Sequence, residues 1–117
     1  TFAGGPVISR VAHAVLKRVS DPALLAHVQA MGKLLVERLH ALNSPHIVAV
    51  RGRGLMVGVQ FDLDVAPLIQ AGHARGLLLI NAGPQVLRLL PPLIAQPEHI
   101  DTLIDGLGAI LAEMEAA

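Results

Sequence analysis

The chain has 117 residues, 53% of them hydrophobic, and a formal net charge of zero at pH 7. This length suits one domain with its own core, and the balanced charge argues against a role that neutralises nucleic-acid phosphates. Cysteine is absent, which excludes disulfides, thiolate catalysis and cysteine-based metal sites. No apolar run approaches the roughly 18 to 20 residues of a membrane span, and no signal peptide is visible. We therefore expect a soluble, cytoplasmic protein that does not bind nucleic acid or a membrane.

Two helices are predicted in the first third of the chain. The first runs from Pro6 to Val19, because apolar side chains recur there at helical spacing and Pro6 suits a first helical turn. Asp21 and Pro22 are typical of the cap and first position of a second helix. Asn43-Ser44-Pro45 ends that helix.

The middle of the chain predicts a hairpin. Ile47 to Val50 and Leu55 to Phe61 have the composition of strands, and the Gly52 and Gly54 pair between them indicates a tight or bulged connection. Arg51 and Arg53 fall in this predicted loop, where a solvated position is their simplest interpretation.

The second half alternates again between helix and strand. Asp64 is expected to cap a short helix that ends near Gly76. Short strands follow at Leu77 to Ile80 and at Val86 to Leu90, with a turn signal at Asn81-Ala82-Gly83-Pro84 between them. The last helix begins near Pro97. This order predicts an α+β fold in which a small antiparallel or mixed sheet carries its helices on one face.

Three segments give the chain a family resemblance: Thr1-Phe2-Ala3-Gly4-Gly5-Pro6, Val50-Arg51-Gly52-Arg53-Gly54-Leu55 and Val86-Leu87-Arg88-Leu89-Leu90-Pro91-Pro92. The chain resembles the C-terminal part of class III, pyridoxal-phosphate-dependent aminotransferases, and within them the acetylornithine type most. The resemblance implies the small C-terminal domain of fold-type I transaminases over residues 21–117. Residues 1–20 would then be a linking helix from a large domain that lies earlier in the polypeptide.

The resemblance also implies two site residues. The family's threonine that matches Thr1 contacts the cofactor phosphate bound in the other subunit of a homodimer. The arginine that matches Arg88 holds a carboxylate of the glutamate or 2-oxoglutarate substrate, a task for which a planar guanidinium is suited. From the strand pattern alone, Arg88 would be a solvated residue beside Val86 and Leu90. Arg51 and Arg53 match a structural turn of the family, so we assign them no chemistry.

The chemical centre of such an enzyme is not expected within these residues. A transaminase needs a lysine that holds pyridoxal phosphate covalently, and Lys17 and Lys33 lie in helix patterns that match no such role. None of the six histidines shows metal-ligand spacing with a carboxylate, so no metal site is predicted. We therefore assign no catalytic residue to the chain and expect it to be inactive alone.

The functional prediction is the C-terminal part of an aminotransferase that moves an amino group from N-acetylornithine to 2-oxoglutarate in arginine biosynthesis. One alternative is another class III enzyme, acting on ornithine, succinylornithine, an aminobutyrate or a diaminopimelate derivative. A second alternative is non-enzymatic: a small α/β module that binds a carboxylated metabolite or a partner protein. A lysine in cofactor context before Thr1 would favour an enzyme over a module.

Overall fold

The computed structural model describes residues 3–116, in which four helices and four strands alternate. The helices are α1 (Pro6–Val19), α2 (Pro22–Ala41), α3 (Ala66–Ala74) and α4 (Pro97–Glu115). The strands are β1 (Ile47–Arg53), β2 (Met56–Phe61), β3 (Ile80–Asn81) and β4 (Val86–Leu89). None of the helices within 3–116 is long and apolar enough to cross a membrane.

The strands form one antiparallel sheet in the order β1-β2-β4-β3. Successive residues of a strand point to opposite faces, and here the two faces differ sharply. Val57, Val59 and Phe61 of β2 are buried together with Leu87 and Leu89 of β4. Their partly buried and exposed neighbours occupy the other face, which we call the open face. The predicted α+β fold, with helices on one face of an antiparallel sheet, is confirmed.

Helices α2, α3 and α4 cover the buried face of the sheet and complete a single aliphatic core. Each contributes apolar side chains at helical spacing, as predicted for the second and last helices. The fully or nearly fully buried members are Leu35, Leu39, Leu68, Ile100, Leu107, Ile110 and Leu111. Asp21 caps α2 as predicted, because its Oδ1 accepts the Ala23 N–H at 2.8 Å.

Helix α1 has the predicted bounds but buries none of its residues. Val7, Val11 and Val15 lie on one helical face, and all three are more than half exposed. The helix contacts only α2 within the described chain. The apolar face of this amphipathic helix is therefore left uncovered by the described residues.

The hairpin differs from the prediction in the length of its first strand. Strand β1 does not end at Val50; it continues through Arg53, which pairs with Met56. Gly54, at a φ of 54°, and Leu55 alone make the turn, because glycine readily adopts the positive φ that a two-residue hairpin turn requires. Arg51 and Arg53 are thus strand residues, and the prediction of a loop for them is wrong.

A β-bulge lies at the start of β1 rather than between the two strands. Ile47 pairs with Phe61 and Ala49 pairs with Gln60, so Val48 has no partner in the ladder. Because the bulge adds one residue, Ile47 and Val50 both reach the core although they are three positions apart. Arg51 consequently lies on the open face.

The segment before β3 is the second place where the prediction fails. Leu77 to Leu79 are not in a strand, and β3 comprises Ile80 and Asn81 only. Leu77 packs against Gly106 of α4, and Leu79 packs against Gly72 of α3. These contacts with helices hold the segment away from ladder geometry.

Candidate functional site

The predicted substrate-binding residue, Arg88, lies in the middle of β4 on the open face. Its neighbours Leu87 and Leu89 are buried on the other face, as the alternation predicted. Gly58 lies directly opposite Arg88 on β2, and Ile80 lies opposite it on β3. The core therefore fixes the backbone of Arg88 while leaving its guanidinium in the open.

Arg51 belongs to the same row of side chains. It is the partner of Gly58 on the far side of β2, and residues directly opposite each other in antiparallel strands share a face. The row therefore reads Arg51, Gly58, Arg88 and Ile80 across the four strands. Sequence analysis did not find this arrangement, because register depends on the turn and on the bulge, and neither was located correctly.

Arg53 adds a third guanidinium two positions along β1 on the same face. All three arginines line a groove of about 380 Å³, together with Gly58, Met56 and Ala82. No aspartate or glutamate is among its lining residues. Within residues 3–116, Arg51, Arg53 and Arg88 form no ion pair.

Other basic side chains of the domain do have carboxylate partners. Arg75 pairs with Glu113 through one nitrogen, because Nη2 lies 2.5 and 2.6 Å from the two carboxylate oxygens. Arg38 Nε lies 3.4 Å from Asp101 Oδ1. The arginines of the open face, unlike these two, have no carboxylate partner within residues 3–116, and the arrangement suits the binding of a carboxylate or another compact anion.

Arg88 also borders a second concavity of about 410 Å³, at the β3–β4 edge of the sheet. Its walls are mostly apolar, and Arg88 and His99 are the two ionisable side chains that line it. Leu78, in its rim, is 93% exposed. Arg88 thus borders two concavities, and apolar surface predominates in both.

Thr1 and the two lysines are the other residues that the sequence analysis considered. Thr1, the predicted cofactor-binding residue, lies outside the described residues. Lys17 is exposed on α1, and Lys33 is exposed on α2, where its Nζ lies 3.8 Å from Glu37 Oε1. Neither lysine borders the groove of the three arginines. The described part of the chain contains no cluster of three side chains that could hold a metal ion.

Comparison with known proteins identifies the family. Residues 1–111 match the family described as aminotransferase class III. An acetylornithine aminotransferase from Myxococcus xanthus is 40% identical over 105 residues, which are 86% of this chain and 26% of that protein. An ornithine aminotransferase from Exiguobacterium sp. is 34% identical over 112 residues, which are 96% of this chain and 28% of that protein.

A solved structure gives the same result. The crystal structure of N-acetylornithine aminotransferase from Stenotrophomonas maltophilia K279a superposes with a TM-score of 0.86 at 30% identity, covering 95% of this chain and 32% of that one. The chain therefore spans between about a quarter and a third of the length of these relatives. Since the family match covers nearly the whole chain, and the sheet and helices superpose on a solved member, this chain belongs to the class III aminotransferases.

Proposed function

We propose that the chain is the small C-terminal domain of a pyridoxal-phosphate-dependent aminotransferase of the acetylornithine type. The complete enzyme would transfer an amino group from N-acetylornithine to 2-oxoglutarate, serve arginine biosynthesis and act in the cytoplasm as a homodimer. Family membership and the names of relatives such as the Myxococcus xanthus protein support this proposal. An ornithine aminotransferase is the second candidate, because a relative of that name covers a similar share of the chain.

We infer the domain boundaries from how the helices pack. We propose that residues 1–20 are the linking helix from a large domain and that residues 21–117 are the small domain. The support is that α1 buries none of its residues, whereas α2 to α4 share one core. We infer that the apolar face of α1 packs against the large domain of the same polypeptide and against the second subunit.

The residues of this chain fit an accessory role toward the cofactor. Pyridoxal phosphate, when bound, carries the amino group between the donor and the acceptor. The lysine that holds it must come from elsewhere, because Lys17 and Lys33 lie on exposed helix surfaces. For Thr1 we propose a hydrogen bond from its hydroxyl to the cofactor phosphate of the partner subunit.

Arg88 carries the proposal for the substrate. It lies in a family motif, on a strand held by the core, with a guanidinium that has no carboxylate partner among residues 3–116. Burying such a group in a closed active site would be costly unless an anion met it. We propose that it binds a carboxylate of the glutamate or 2-oxoglutarate substrate through two parallel hydrogen bonds.

The test is Arg88→Lys in the complete enzyme, with the two half-reactions measured separately. Lysine keeps the charge but loses the fork of donors, so the affinity for glutamate and 2-oxoglutarate should fall by about ten- to a hundredfold, or roughly 1.5 to 3 kcal/mol. The melting temperature should not change, because the side chain is exposed. Arg38→Lys, on the helical side of the sheet, is the matched control. Unchanged kinetics of both half-reactions in Arg88→Lys would show that Arg88 is only a solvated residue.

A further inference from the structure

One peptide group in the segment between β4 and α4 is held by two histidine rings. His27 of α2 has its Nε2 2.8 Å from the carbonyl oxygen of Ala95. His99, the third residue of α4, has its Nδ1 3.0 Å from the backbone nitrogen of Gln96. The Ala95 carbonyl and the Gln96 N–H belong to the same peptide unit, so side chains from two helices hold its two polar ends. We call this arrangement the histidine clamp.

The two contacts require different protonation of the two rings. A carbonyl oxygen only accepts, so His27 Nε2 must carry a hydrogen, and it does so in one neutral tautomer and in the charged ring alike. A backbone N–H only donates, so His99 Nδ1 must carry no hydrogen, which requires a neutral ring with its hydrogen on Nε2. Protonation therefore leaves the His27 contact intact and removes the His99 contact.

The clamp anchors residues 91–96, which connect β4 to α4. Ala95 is buried, and its own N–H donates to the carbonyl oxygen of Pro92 at 2.9 Å. Pro91 and Pro92 line the concavity of about 410 Å³ at the β3–β4 edge of the sheet, and so does His99. The peptide that the two histidines hold therefore fixes one wall of this concavity.

The charges around the start of α4 do not replace the His99 contact once the ring is protonated. Arg88 lines the same concavity as His99, and the helix dipole is positive at this end of α4. Glu98 and Asp101 lie one and two positions from His99, and side chains at those spacings on a helix do not face each other. The ionisable side chains on the elements packed here are Arg88 on β4, His27 and Arg38 on α2, His73 on α3, and Glu98 and Asp101 on α4.

We propose that the histidine clamp is a pH-sensitive device that fixes residues 91–96 while His99 is neutral and releases them on the α4 side when His99 is protonated. Histidine is the side chain whose charge ordinarily changes between about pH 5 and 8. In acid the Ala95–Gln96 peptide is held by His27 alone, and the wall of the concavity gains freedom. The inference does not depend on the role proposed for Arg88, because both contacts join groups within residues 3–116.

Hydrogen exchange of the complete enzyme, measured by mass spectrometry on overlapping peptides, tests the clamp. Proline has no amide hydrogen, so only four residues between Pro91 and Pro97 exchange one, and Gln96 is the last of them. Protection is expressed relative to an unstructured chain at the same pH, which removes the intrinsic pH dependence of exchange. From about pH 8 to about pH 5.5 the protection of the Gln96 amide should fall about three- to tenfold, as expected for the loss of one hydrogen bond.

His99→Gln is the decisive variant, because glutamine at the third position of a helix can accept the same N–H and does not titrate. Its Gln96 amide should have the same protection at both pH values. His99→Leu removes the acceptor and should give low protection at both. His40→Gln, which removes an exposed histidine from the other end of α2, is the matched control and should keep the full response.

Two results would overturn the inference. If the Gln96 amide of the parent enzyme is equally protected at both pH values, protonation of His99 does not open the clamp. If His99→Gln loses protection in acid as the parent does, another group causes the response. A protection that does not change with pH in His99→Gln, whether high or low, assigns the response to His99. The melting temperature of this variant at pH 8 should not change, because the side chain is exposed, so unfolding would not explain the result.

Discussion

The two faces of the sheet are made from the same strands but differ in what completes them. On one face, Val57, Val59, Leu87 and Leu89 are buried by three helices of the same chain. On the other, three arginines and a glycine have no cover from residues 3–116. The covered face explains how the domain folds. The open face carries the groups that the domain can offer to the rest of an enzyme. Substitutions on the two faces should therefore change different measurements.

The largest expected effect is a difference in stability when leucine is replaced by alanine on each face of the sheet. Leu87 is fully buried and Leu90, just beyond the end of the same strand, is about half exposed at 53%. Leu87→Ala should lower the free energy of unfolding by about 2 to 5 kcal/mol because it leaves a cavity, and Leu90→Ala should lower it by about 1 kcal/mol at most. Chemical denaturation of both variants measures the difference. Equal losses would mean that the open face is packed in solution and that the comparison is wrong.

The apolar face of helix α1 is a second surface that the described residues leave uncovered. We predict that the isolated chain associates through this helix, since Val7 and Val11 expose most of their apolar surface. The double variant Val7→Ser, Val11→Ser should weaken association by roughly 2 to 3 kcal/mol, or about 30- to 150-fold in the dissociation constant. Sedimentation equilibrium measures it, with the double variant Arg10→Gln, Arg18→Gln as a control on the same helix. A monomeric parent chain whose α1 amides are protected from hydrogen exchange would contradict the prediction.

Two glycines on the covered side give a sharper test, because an added Cβ would meet backbone at one and a side chain at the other. A Cβ on Gly32 would lie 2.2 Å from the carbonyl oxygen of Gly54, whereas a Cβ on Gly106 would meet the end of the Leu77 side chain at 2.6 Å. Alanine gains about 1 kcal/mol over glycine within a helix, but overpacking against backbone costs about 1 to 3 kcal/mol. Gly32→Ala should thus be destabilising by up to about 2 kcal/mol. Gly106→Ala should be close to neutral, because a side chain can move; denaturation midpoints would show both, and equal shifts would refute the distinction.

The smallest expected effect concerns the charges. Arg75→Lys keeps the charge but changes the position of the nitrogen that donates to both oxygens of Glu113. Both side chains remain partly exposed, so the loss should be at most about 1 kcal/mol and should shrink in high salt. Arg53→Lys, on the open face, should change stability by less still. The comparison is made from unfolding curves at low and high ionic strength, and a loss of several kcal/mol for Arg75→Lys would show that this pair anchors the fold.

The parts of this fold that sequence could predict are those encoded locally. Helices α1, α2 and α4 have periodic apolar faces and proline or aspartate at their starts. Both bounds of α1 and the starts of α2 and α4 were predicted to the residue. The alternation of β4 placed Arg88 on the face opposite to Leu87 and Leu89. These signals involve neighbours in sequence, so one chain suffices to read them.

The errors arise where contacts between residues far apart in the sequence determine the local structure. Leu77 and Leu79 have the composition of a strand. They pack instead into the space that the missing side chains of Gly106 and Gly72 leave on the helices. The Gly52 and Gly54 pair suggested a loop, yet only Gly54 turns the chain. The row of Arg51, Gly58 and Arg88 was beyond prediction because it requires the register of three strands at once. Thr1 lies outside the described residues, and its role stays a prediction.

The bulge at Val48 lets the start of strand β1 lose one residue without changing the face of its neighbours. Val48 has no partner in the β1–β2 ladder, so its deletion would convert the bulge into a regular pair and leave every later residue on its present face. Deleting Val50 would remove the bulge as well, because Ala49 could then pair with Val59 and Val48 with Gln60, while Ile47 and Arg51 keep their partners. The cost of that deletion would be the smaller alanine side chain in the place of Val50 against the core. A gap of one residue at positions 48 to 50 in an alignment with relatives therefore leaves Arg51 on the open face.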